Sequence, residues 1–286
     1  MIRLIAFDMD GTVLNEQKKI TPKTQRALEY VAKKGIEIVP ATGRPFLGLS
    51  EEIGKLQGVR YVLTTNGAGI YERDTGVCLH EESMPLEKFL PMLERLEKID
   101  VMADSFVKGQ AYMNQDKAKL IPHMLVSDAI KEYIRASRIC VPCQSEFLRK
   151  KGDDIEKLTI NFANEPDGSR RDYDKAWKIA EDYPEFNAVS GGMQNIEITK
   201  RNVSKASGLR WLGSFLGISM DEMLVFGDSG NDLTMIREAG TGVAMANGEK
   251  EVLEAADFVT RSNEEDGIVY ALGKLFPQLL DLPDTI

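Results

Sequence analysis

The sequence predicts an α/β protein whose Rossmann-like, parallel-sheet core is interrupted by an inserted second domain of α/β or α+β type. Short apolar segments alternate with amphipathic helical segments over the first eighty residues or so. The same alternation returns after about residue 187 and continues almost to the end of the chain. Between these parts, residues 84–186 are richer in charged amphipathic helices, and this change of pattern predicts the insertion.

The first predicted elements follow one another in βαβαβ order, which implies parallel strands joined by right-handed crossovers. Residues 2–7 form the first predicted strand. Thr21 and Pro22 are typical of a helix N-cap and first helical position, and the helix that they begin ends at Gly35. The other predicted elements of this half are strands at 36–41 and 60–64, a helix over 47–56, and a hairpin from 69–71 to 77–79.

The inserted segment has predicted helices over 86–99 and 127–136 and an extended segment at 158–162. After it we predict strands at 196–198, 223–226, 242–245 and 257–259, and helices at 204–216, from about Asn231, and at 249–255. We therefore assign residues 1–83 and 187–286 to the core and residues 84–186 to the inserted domain.

The composition is typical of a cytoplasmic enzyme. A chain of 286 residues with 43% hydrophobic residues is long enough to bury two cores. The net charge of -9 disfavours nucleic acid and anionic membranes as partners, because both attract basic surfaces. Three cysteines argue against a disulfide framework and for a reducing compartment. We see no signal peptide before Asp8 and no apolar run long enough to span a membrane.

Two carboxylates, Asp8 and Asp10, stand at the C-terminal end of the first predicted strand and precede Gly11 and Thr12. Open α/β sheets place their chemistry at this edge. The Gly-Thr turn can bend the second carboxylate back beside the first, so that one attacks while the other transfers a proton. Turn formation is the simpler interpretation of these residues, but neighbouring carboxylates repel each other unless a cation joins them.

Three further segments lie at corresponding places, just after a core strand or at the start of a core helix. They are Ala41-Thr42-Gly43-Arg44, Ser204-Lys205 and Gly227-Asp228-Ser229-Gly230-Asn231-Asp232. Thr42 and Gly43 offer a hydroxyl and an open backbone N–H to a phosphoryl oxygen, and Arg44 could bind phosphate through two hydrogen bonds. Lys205 would add a positive charge against the phosphoryl group, although a lone lysine in a first helical turn usually faces solvent.

With these four motifs in this order, the chain resembles the haloacid dehalogenase (HAD) superfamily, specifically the Cof-type phosphatases with a cap domain inserted between the second and third motifs. The resemblance spans nearly the whole chain. It implies that Asp8 is the nucleophile that forms an aspartyl-phosphate and that Asp10 is the general acid and base. It also implies that Asn231 contacts the substrate phosphate and that Asn66 and Gly67 lie near the mouth of the active site.

The cofactor expected from the resemblance is Mg²⁺, a hard cation that prefers oxygen ligands. We expect its ligands to be the side chains of Asp8 and Asp228 and the backbone carbonyl of Asp10. Asp232 would be a further ligand or a group that orients the ligands. Taken alone, Asp228 or Ser229 would be interpreted as a helix N-cap.

The predicted function is Mg²⁺-dependent hydrolysis of a small-molecule phosphate monoester. The inserted cap is nearly neutral, with 17 Lys and Arg against 19 Asp and Glu, which favours a small phosphorylated metabolite over a nucleic acid or polyphosphate. Sugar phosphates, pyridoxal phosphate and flavin-related phosphates remain open as substrates. The alternatives are a phosphotransferase or phosphomutase that uses the same Asp8, and a non-catalytic phosphate-binding regulator.

The pair Cys140 and Cys143 has no counterpart in this resemblance. A CxxC can be a redox pair when it opens a helix after a strand, or half of a zinc site. Here it follows a predicted helix, and the other candidate soft ligands, Cys78, His80 and His123, are scattered along the chain. We therefore expect an ordinary loop of the cap.

Overall fold

The computed structural model describes residues 1–190 and 195–277. Its strands are β1 (Leu4–Phe7), β2 (Glu37–Pro40), β3 (Tyr61–Thr64), β4 (Gly69–Glu72), β5 (Cys78–Glu81), β6 (Val101–Val107), β7 (Gln110–Asn114), β8 (Arg138–Val141), β9 (Lys157–Phe162), β10 (Phe186–Ser190), β11 (Ile196–Lys200), β12 (Met223–Gly227), β13 (Thr241–Ala244) and β14 (Phe258–Val259). Its α-helices are α1 (Pro22–Lys33), α2 (Glu51–Lys55), α3 (Leu86–Leu96), α4 (Asp128–Ser137), α5 (Gln144–Lys151), α6 (Tyr173–Glu181), α7 (Lys205–Leu216), α8 (Leu233–Glu238), α9 (Lys250–Ala255) and α10 (Gly267–Leu275).

The core sheet has five parallel strands in the order β14-β13-β12-β1-β2. In β1, Ile5 and Phe7 pack on the side of α1 and α10, whereas Leu4 and Ala6 pack on the side of α7, α8 and α9. Helices therefore cover both faces, which is why the central strands are apolar on both sides. This confirms the predicted α/β core.

The third predicted strand runs beside the core sheet without joining it as a regular strand. Two isolated parallel bridges, Ile38 to Val59 and Ala41 to Leu63, align this segment with β2. The chain then turns back, and β3, β4 and β5 form an antiparallel sheet that contains the predicted hairpin.

Local signals explain where the core helices begin and end. The Thr21 side chain accepts the N–H of Thr24, Pro22 is the first residue of α1, and Gly35 just beyond the helix has φ of +86°. The helix predicted over 47–56 is shorter, because Leu49 and Ser50 are extended and α2 starts only after the Ser50 cap. Within the described ranges, no helix is long and apolar enough to cross a membrane.

The second sheet belongs to the inserted cap and has the order β10-β11-β9-β6-β7-β8. Its pairings are antiparallel except for the parallel pair of β7 and β8. Side chains of α3, α5 and α6 pack on one face, among them Phe89, Leu148 and Ile179. In β9, Leu158 and Ile160 point into this apolar cluster, so the alternate residues belong to the opposite face.

The strand predicted at 196–198 forms, but its assignment to the core was wrong. In β11 it pairs antiparallel with both β9 and β10 of the cap sheet. The alternation of Ile196 and Ile198 with the polar Glu197 suits a sheet with one apolar face, whereas core strands are apolar on both. We therefore propose that the chain returns to the core at residues 201–204, and we keep the rest of the predicted domain division as a proposal.

Candidate active site

The carboxyl ends of three adjacent core strands bring together residues from separate motifs. Asp8 directly follows β1, Asp228 directly follows β12, and Thr42 lies two residues after the end of β2. Because β12, β1 and β2 are neighbouring and parallel, these ends lie at one edge of the sheet. The motif residues therefore share one site.

Lys205, the first residue of α7, is buried between two carboxylates. The helix start is defined by Ser204, whose side chain accepts the N–H of Ser207. The Lys205 Nζ donates to Asp8 Oδ1 at 2.5 Å and to Asp232 Oδ1 at 2.6 Å. Burial opposes the lysine charge, but the two carboxylates outweigh it and raise the pKa of Lys205. The side chain therefore stays charged beside Asp8.

Negative charge exceeds positive charge around Asp8. Burial raises the pKa of the Asp8 carboxyl to about 7, with Lys205 opposing the rise and Asp232 adding to it. Burial together with Asp8 and Asp232 raises the pKa of Asp228 to about 8. A divalent cation would remove this repulsion and favour the ionised carboxylates.

The side chains of Asp8, Asp228 and Asp232 form an acidic cluster that could hold a metal ion. One carboxylate oxygen from each lies within 4.8 Å of the others. Both oxygens of Asp232 already accept hydrogen bonds: Oδ1 from Lys205, and Oδ2 from the backbone N–H of Asp228 at 2.9 Å and of Ser229 at 3.1 Å. Asp8 and Asp228 are therefore better placed than Asp232 to bind a cation directly.

The turn after β1 lets Asp228 approach Asp8. Gly11 has φ of +88°, and a Cβ at this position would lie 2.4 Å from Asp228 Oδ2. The next residue, Thr12, donates its hydroxyl to Asp228 Oδ1 at 2.6 Å. The glycine thus gives the carboxylate room, and the threonine orients it.

Arg44, predicted to bind phosphate, holds the Asp10 carboxylate in this structure. Its Nε donates to Asp10 Oδ2 at 2.8 Å and its Nη2 to Oδ1 at 2.7 Å. Lys18 also donates to Oδ1, at 2.9 Å. Burial alone would raise the pKa of Asp10, but these two cations lower it to about 2.

The loop with Thr42 and Gly43 lies against the cap. Thr42 Oγ1 accepts the N–H of Arg44 at 3.1 Å, which shapes the loop. A Cβ at Gly43 would come within 2.9 Å of both Asn66 Oδ1 and Lys157 Nζ. A side chain at this position would therefore displace one of its neighbours.

A buried polar group, which we call the Glu197 cluster, joins the cap residues Lys157 and Glu197 to the core residues Asn66 and Asn231. Glu197 Oε2 accepts from Asn66 Nδ2 at 2.6 Å and from Asn231 Nδ2 at 3.2 Å. Lys157 pairs with Glu197 and donates to the Gly43 carbonyl at 3.0 Å. Asn66 and Asn231 were expected near the site from the sequence, but the cap pair was not, although the alternation of polar and apolar residues in β9 and β11 was an available signal.

A cavity of about 250 Å³ lies between the core and the cap. Its core side includes every predicted site residue except Lys205 and Asp232, which lie behind it. Its cap side was not predicted, and includes Phe106, Tyr133, Arg138, Lys157, Thr159 and Asn195. The helical Tyr133 gave no signal in the sequence, because an aromatic residue in an amphipathic helix usually packs in a core.

The two cysteines of the CxxC lie where a strand of the cap leads into a helix. Cys140 is in β8 and Cys143 is the N-cap of α5, so the pair leaves a strand and opens a helix, whereas the sequence predicted that it follows a helix. Both thiols are free. In the part of the chain that the structure describes, neither belongs to a group of side chains spaced to hold a metal.

Comparisons with known proteins identify the family. Residues 5–272 match the haloacid dehalogenase-like hydrolases. The chain is 32% identical over 280 residues to the putative phosphatase YxeH of Bacillus subtilis (strain 168), covering 96% of this chain and 98% of that protein. It is 29% identical over 271 residues to the 5-amino-6-(5-phospho-D-ribitylamino)uracil phosphatase YcsE of the same organism, covering 95% and 94%.

A solved structure gives the same result for the fold. A haloacid dehalogenase-like hydrolase from B. subtilis superposes with a TM-score of 0.82 at 25% identity, covering 96% of this chain and all of that one. The family match therefore extends over both the core and the inserted sheet. The chain belongs to the haloacid dehalogenase-like hydrolases, as a Cof-type phosphatase with a cap domain that acts on small phosphate esters.

Proposed function

We propose that this phosphatase hydrolyses a small-molecule phosphate monoester through an aspartyl-phosphate on Asp8, with Mg²⁺ as its cofactor. The observation that carries the proposal is the placement of Asp8 in the cavity wall, with the buried Lys205 ammonium 2.5 Å from its carboxylate. A carboxylate beside a fixed cation can attack phosphorus because the cation offsets the repulsion between two anions.

The reaction has two steps that use the same two aspartates. In the first, a carboxylate oxygen of Asp8 bonds to phosphorus, the ester P–O bond breaks, and the leaving oxygen takes a proton from Asp10. In the second, Asp10 takes a proton from a water molecule whose oxygen attacks phosphorus, which releases inorganic phosphate and regenerates Asp8. Each step then has a positioned nucleophile and a positioned proton carrier.

Four groups around Asp8 would bind the phosphoryl oxygens. Lys205 supplies a positive charge, Thr42 a hydroxyl, Gly43 a backbone N–H and Asn231 a side-chain amide. Thr42, Gly43 and Asn231 line the same cavity as Asp8, which supports this assignment.

As the acid of the first step Asp10 must carry a proton, yet here Arg44 and Lys18 bind its carboxylate and lower its pKa. A phosphoryl oxygen offers Arg44 an equivalent bidentate partner. We infer that Arg44 moves from Asp10 to the substrate phosphate, which reconciles its predicted role with its observed pairing.

Mg²⁺ would be held by Asp8, Asp228 and the backbone carbonyl of Asp10, with Asp232 supporting the Asp228 loop and Lys205. When bound, the ion neutralises phosphoryl charge and helps to align the reacting oxygens.

The candidate substrates are sugar phosphates, pyridoxal phosphate and flavin-related phosphates. The relative YcsE is named for a substrate whose phosphate is carried on a ribitylamino group, which supports a polyol phosphate here. A cavity of about 250 Å³ also suits a small metabolite. The cytoplasmic location stays a prediction from cysteine content and charge.

Phosphate release from a panel of small monoesters, with Mg²⁺ or with EDTA, tests the proposal. We expect Mg²⁺-dependent release by wild type, and a loss on the order of 10³-fold or more in Asp8→Asn without loss of folding. Asp74→Asn, at an exposed carboxylate, is the matched control. Wild-type turnover by Asp8→Asn would contradict the nucleophile, and transfer to a second organic hydroxyl in place of water would indicate a phosphotransferase.

A further inference from the structure

We propose that Asn247 and Asn263 are positioning residues for the metal site. Their side chains hold the turn of residues 11–14 in place relative to Asp228, and they thereby set how tightly Mg²⁺ binds without touching the ion or the substrate. The inference rests on the proposed function, because it takes the ligands named there as the groups that bind Mg²⁺. It adds a determinant of metal affinity that lies outside the active-site cavity.

The expected ligands come from two loops whose carboxylates repel each other. Asp8 and Asp10 follow β1, and Asp228 follows β12. Burial and then the charge of Asp8 raise the pKa of the Asp228 carboxyl to about 8. Mg²⁺ binds oxygen ligands at about 2.0–2.1 Å in near-octahedral geometry, so these ligands must stay close together against this repulsion. The fold must therefore hold the two loops together before the ion binds.

A third loop, residues 245–249 between β13 and α9, contacts both of these loops. The backbone N–H of Glu249 donates to the carbonyl of Asp228 at 2.7 Å. The side chain of Asn247 donates from Nδ2 to the carbonyl of Gly11 at 2.8 Å. The 245–249 loop therefore bridges the two loops that carry the expected metal ligands.

Asn263, which follows β14, holds the Asn247 amide in the orientation that this bridge needs. Its backbone N–H donates to Asn247 Oδ1 at 3.0 Å, which leaves the Nδ2 group of Asn247 directed at Gly11. The Asn263 side chain donates in turn to the Leu14 carbonyl at 2.9 Å. The two amides therefore bind both ends of the turn. An amide suits the position of Asn247 because it donates and accepts at the same time.

The turn held in this way carries groups that shape the metal site. Gly11 directly follows Asp10, whose carbonyl is an expected ligand, and Thr12 in the same turn donates to the Asp228 carboxylate at 2.6 Å. A shift of the turn therefore displaces two ligands at once. Neither asparagine is among the described residues that line the cavity. Groups that orient metal ligands in this way typically change metal affinity by about 10- to 100-fold when they are removed.

The test is a calorimetric titration of Mg²⁺ into the full chain without substrate. We expect the Kd of Asn247→Ala for Mg²⁺ to be about ten-fold higher than that of wild type, because the turn is released at Gly11. Asn247 is exposed, so its truncation opens no cavity in the core. Asn263→Ala loses the bond to Leu14 but keeps its backbone N–H, so its Kd should rise by a smaller factor.

Asn164→Ala is the matched control. This amide of the cap has the same two kinds of bond, because it accepts the backbone N–H of Leu125 at 2.9 Å and donates to the carbonyl of Gly168 at 3.4 Å. It lies outside the described lining of the active-site cavity. Its Kd for Mg²⁺ should equal that of wild type.

Turnover at different Mg²⁺ concentrations separates positioning from a general structural role, with the monoester that wild type hydrolyses fastest as the substrate. Asn247→Ala should need more Mg²⁺ for half-maximal turnover, but at saturating Mg²⁺ its kcat and KM should lie within about two-fold of wild type. Excess Mg²⁺ would not repair a general folding defect.

An unchanged Kd in Asn247→Ala, or a loss of turnover that excess Mg²⁺ does not restore, would overturn the inference and leave the phosphatase mechanism intact. If Asn247→Ala does not fold, Asn263→Ala is judged by the same two criteria. A wild type that binds no Mg²⁺ in the titration would instead reject the cofactor of the proposed function together with the inference.

Discussion

Lys205 has two carboxylate partners, Asp8 at 2.5 Å and Asp232 at 2.6 Å. One lysine cannot balance both of these and Asp228 as well, and burial makes the remaining negative charge costly. The raised pKa values of Asp8 and Asp228 follow from this imbalance. A site with such an excess of buried carboxylate is suited to a divalent cation.

The residue-scale prediction concerns Gly11. In Gly11→Ala the methyl group would lie 2.4 Å from the Asp228 carboxylate, so Asp228 must move away from Asp8. We expect kcat/KM to fall about 100-fold, because an ångström of misplacement can have that effect. We also expect weaker Mg²⁺ binding, measured as a higher concentration of Mg²⁺ at half-maximal turnover.

Gly35→Ala is its matched control. Gly35 has φ of +86°, close to the +88° of Gly11, but nothing lies within 4 Å of a Cβ there. Both variants therefore carry the same backbone strain, roughly 1–2 kcal/mol of unfolding free energy. If Gly35→Ala lost as much turnover as Gly11→Ala, strain and not the contact with Asp228 would be the cause.

At the scale of elements, strand alternation in the cap sheet delivers polar side chains to the active site. Apolar residues of β9 and β11 enter the cluster beneath α3, α5 and α6. The alternate residues Lys157, Thr159 and Glu197 line the cavity on the other face. One face of this sheet therefore packs in the core of the cap, and the other face lines the cavity.

Glu197→Gln tests whether the Glu197 cluster couples the cap to the phosphate site. The variant leaves the buried Lys157 ammonium without its carboxylate, so we expect about 3 kcal/mol less unfolding free energy in chemical denaturation. KM should rise, because the side-chain orientations of Asn66 and Asn231 depend on the same carboxylate.

The control for this variant is Glu94→Gln, which removes a carboxylate from an exposed cap ion pair with Arg149. An exposed pair contributes little, so we expect a change of at most about 0.5 kcal/mol and unaltered KM. Equal losses in the two variants would mean that burial of the Glu197 cluster has no special effect.

Glu156 lies where the β4–β5 hairpin of the core meets the cap. Its Oε1 accepts from the Tyr71 hydroxyl at 3.0 Å and from the Gly109 N–H at 2.9 Å, and within the described residues its Oε2 has no partner. Burial raises the pKa of Glu156 above its ordinary value of 4.5, although both hydrogen bonds oppose this. Ionisation of Glu156 is therefore less favourable in the folded protein than in the unfolded chain.

This sets the sign of a pH dependence. The unfolding free energy should fall as pH rises from about 4.5 through the raised pKa of folded Glu156, because the unfolded chain releases this proton first. The side chain of Glu156→Gln does not titrate. The unfolding temperature of this variant should therefore rise relative to that of wild type as pH increases over this range. Parallel curves from pH 4 to pH 8 would show that Glu156 does not titrate as expected.

At the scale of the whole molecule, the active site is divided between two separately packed bodies. The core supplies the carboxylates and Lys205, and the cap closes the cavity above them. The two chain segments that connect the core to the cap lie side by side. Lys200 in one of them pairs with Glu82 in the other at 2.5 Å. Closure of such a cap excludes water from the reacting groups.

Metal binding should stabilise the whole fold, because the ion would bind the folded acidic cluster and not the unfolded chain. At 100 times its Kd, Mg²⁺ should add about 2.7 kcal/mol and raise the unfolding temperature by several degrees in calorimetry. Asp228→Asn should abolish this shift, and without Mg²⁺ it should unfold above wild type because one repelling charge is gone. Asp74→Asn, at a 74% exposed side chain, should keep the shift. An unchanged shift in Asp228→Asn would reject that ligand.

The parts predicted correctly from the sequence are those that short-range patterns specify. The Thr21 cap, the Ser204 cap and the apolar run of β1 each depend on a few neighbouring residues. The strand 196–198 was also predicted, but its partner was not, since an isolated strand carries no information about which edge it joins. The pairing of Arg44 with Asp10 could not be predicted either, because the two residues are 34 positions apart and no local pattern links them.

The sequence by itself determined the parallel core, the inserted cap and the placement of Asp8, Thr42 and Asp228 at strand ends, because parallel strands put all their carboxyl ends at one edge. Only the tertiary structure decided which cap residues face that edge and which cations pair with which carboxylates. Those choices depend on strand register and on how two separately formed cores pack, and both are set by contacts between residues far apart in the chain.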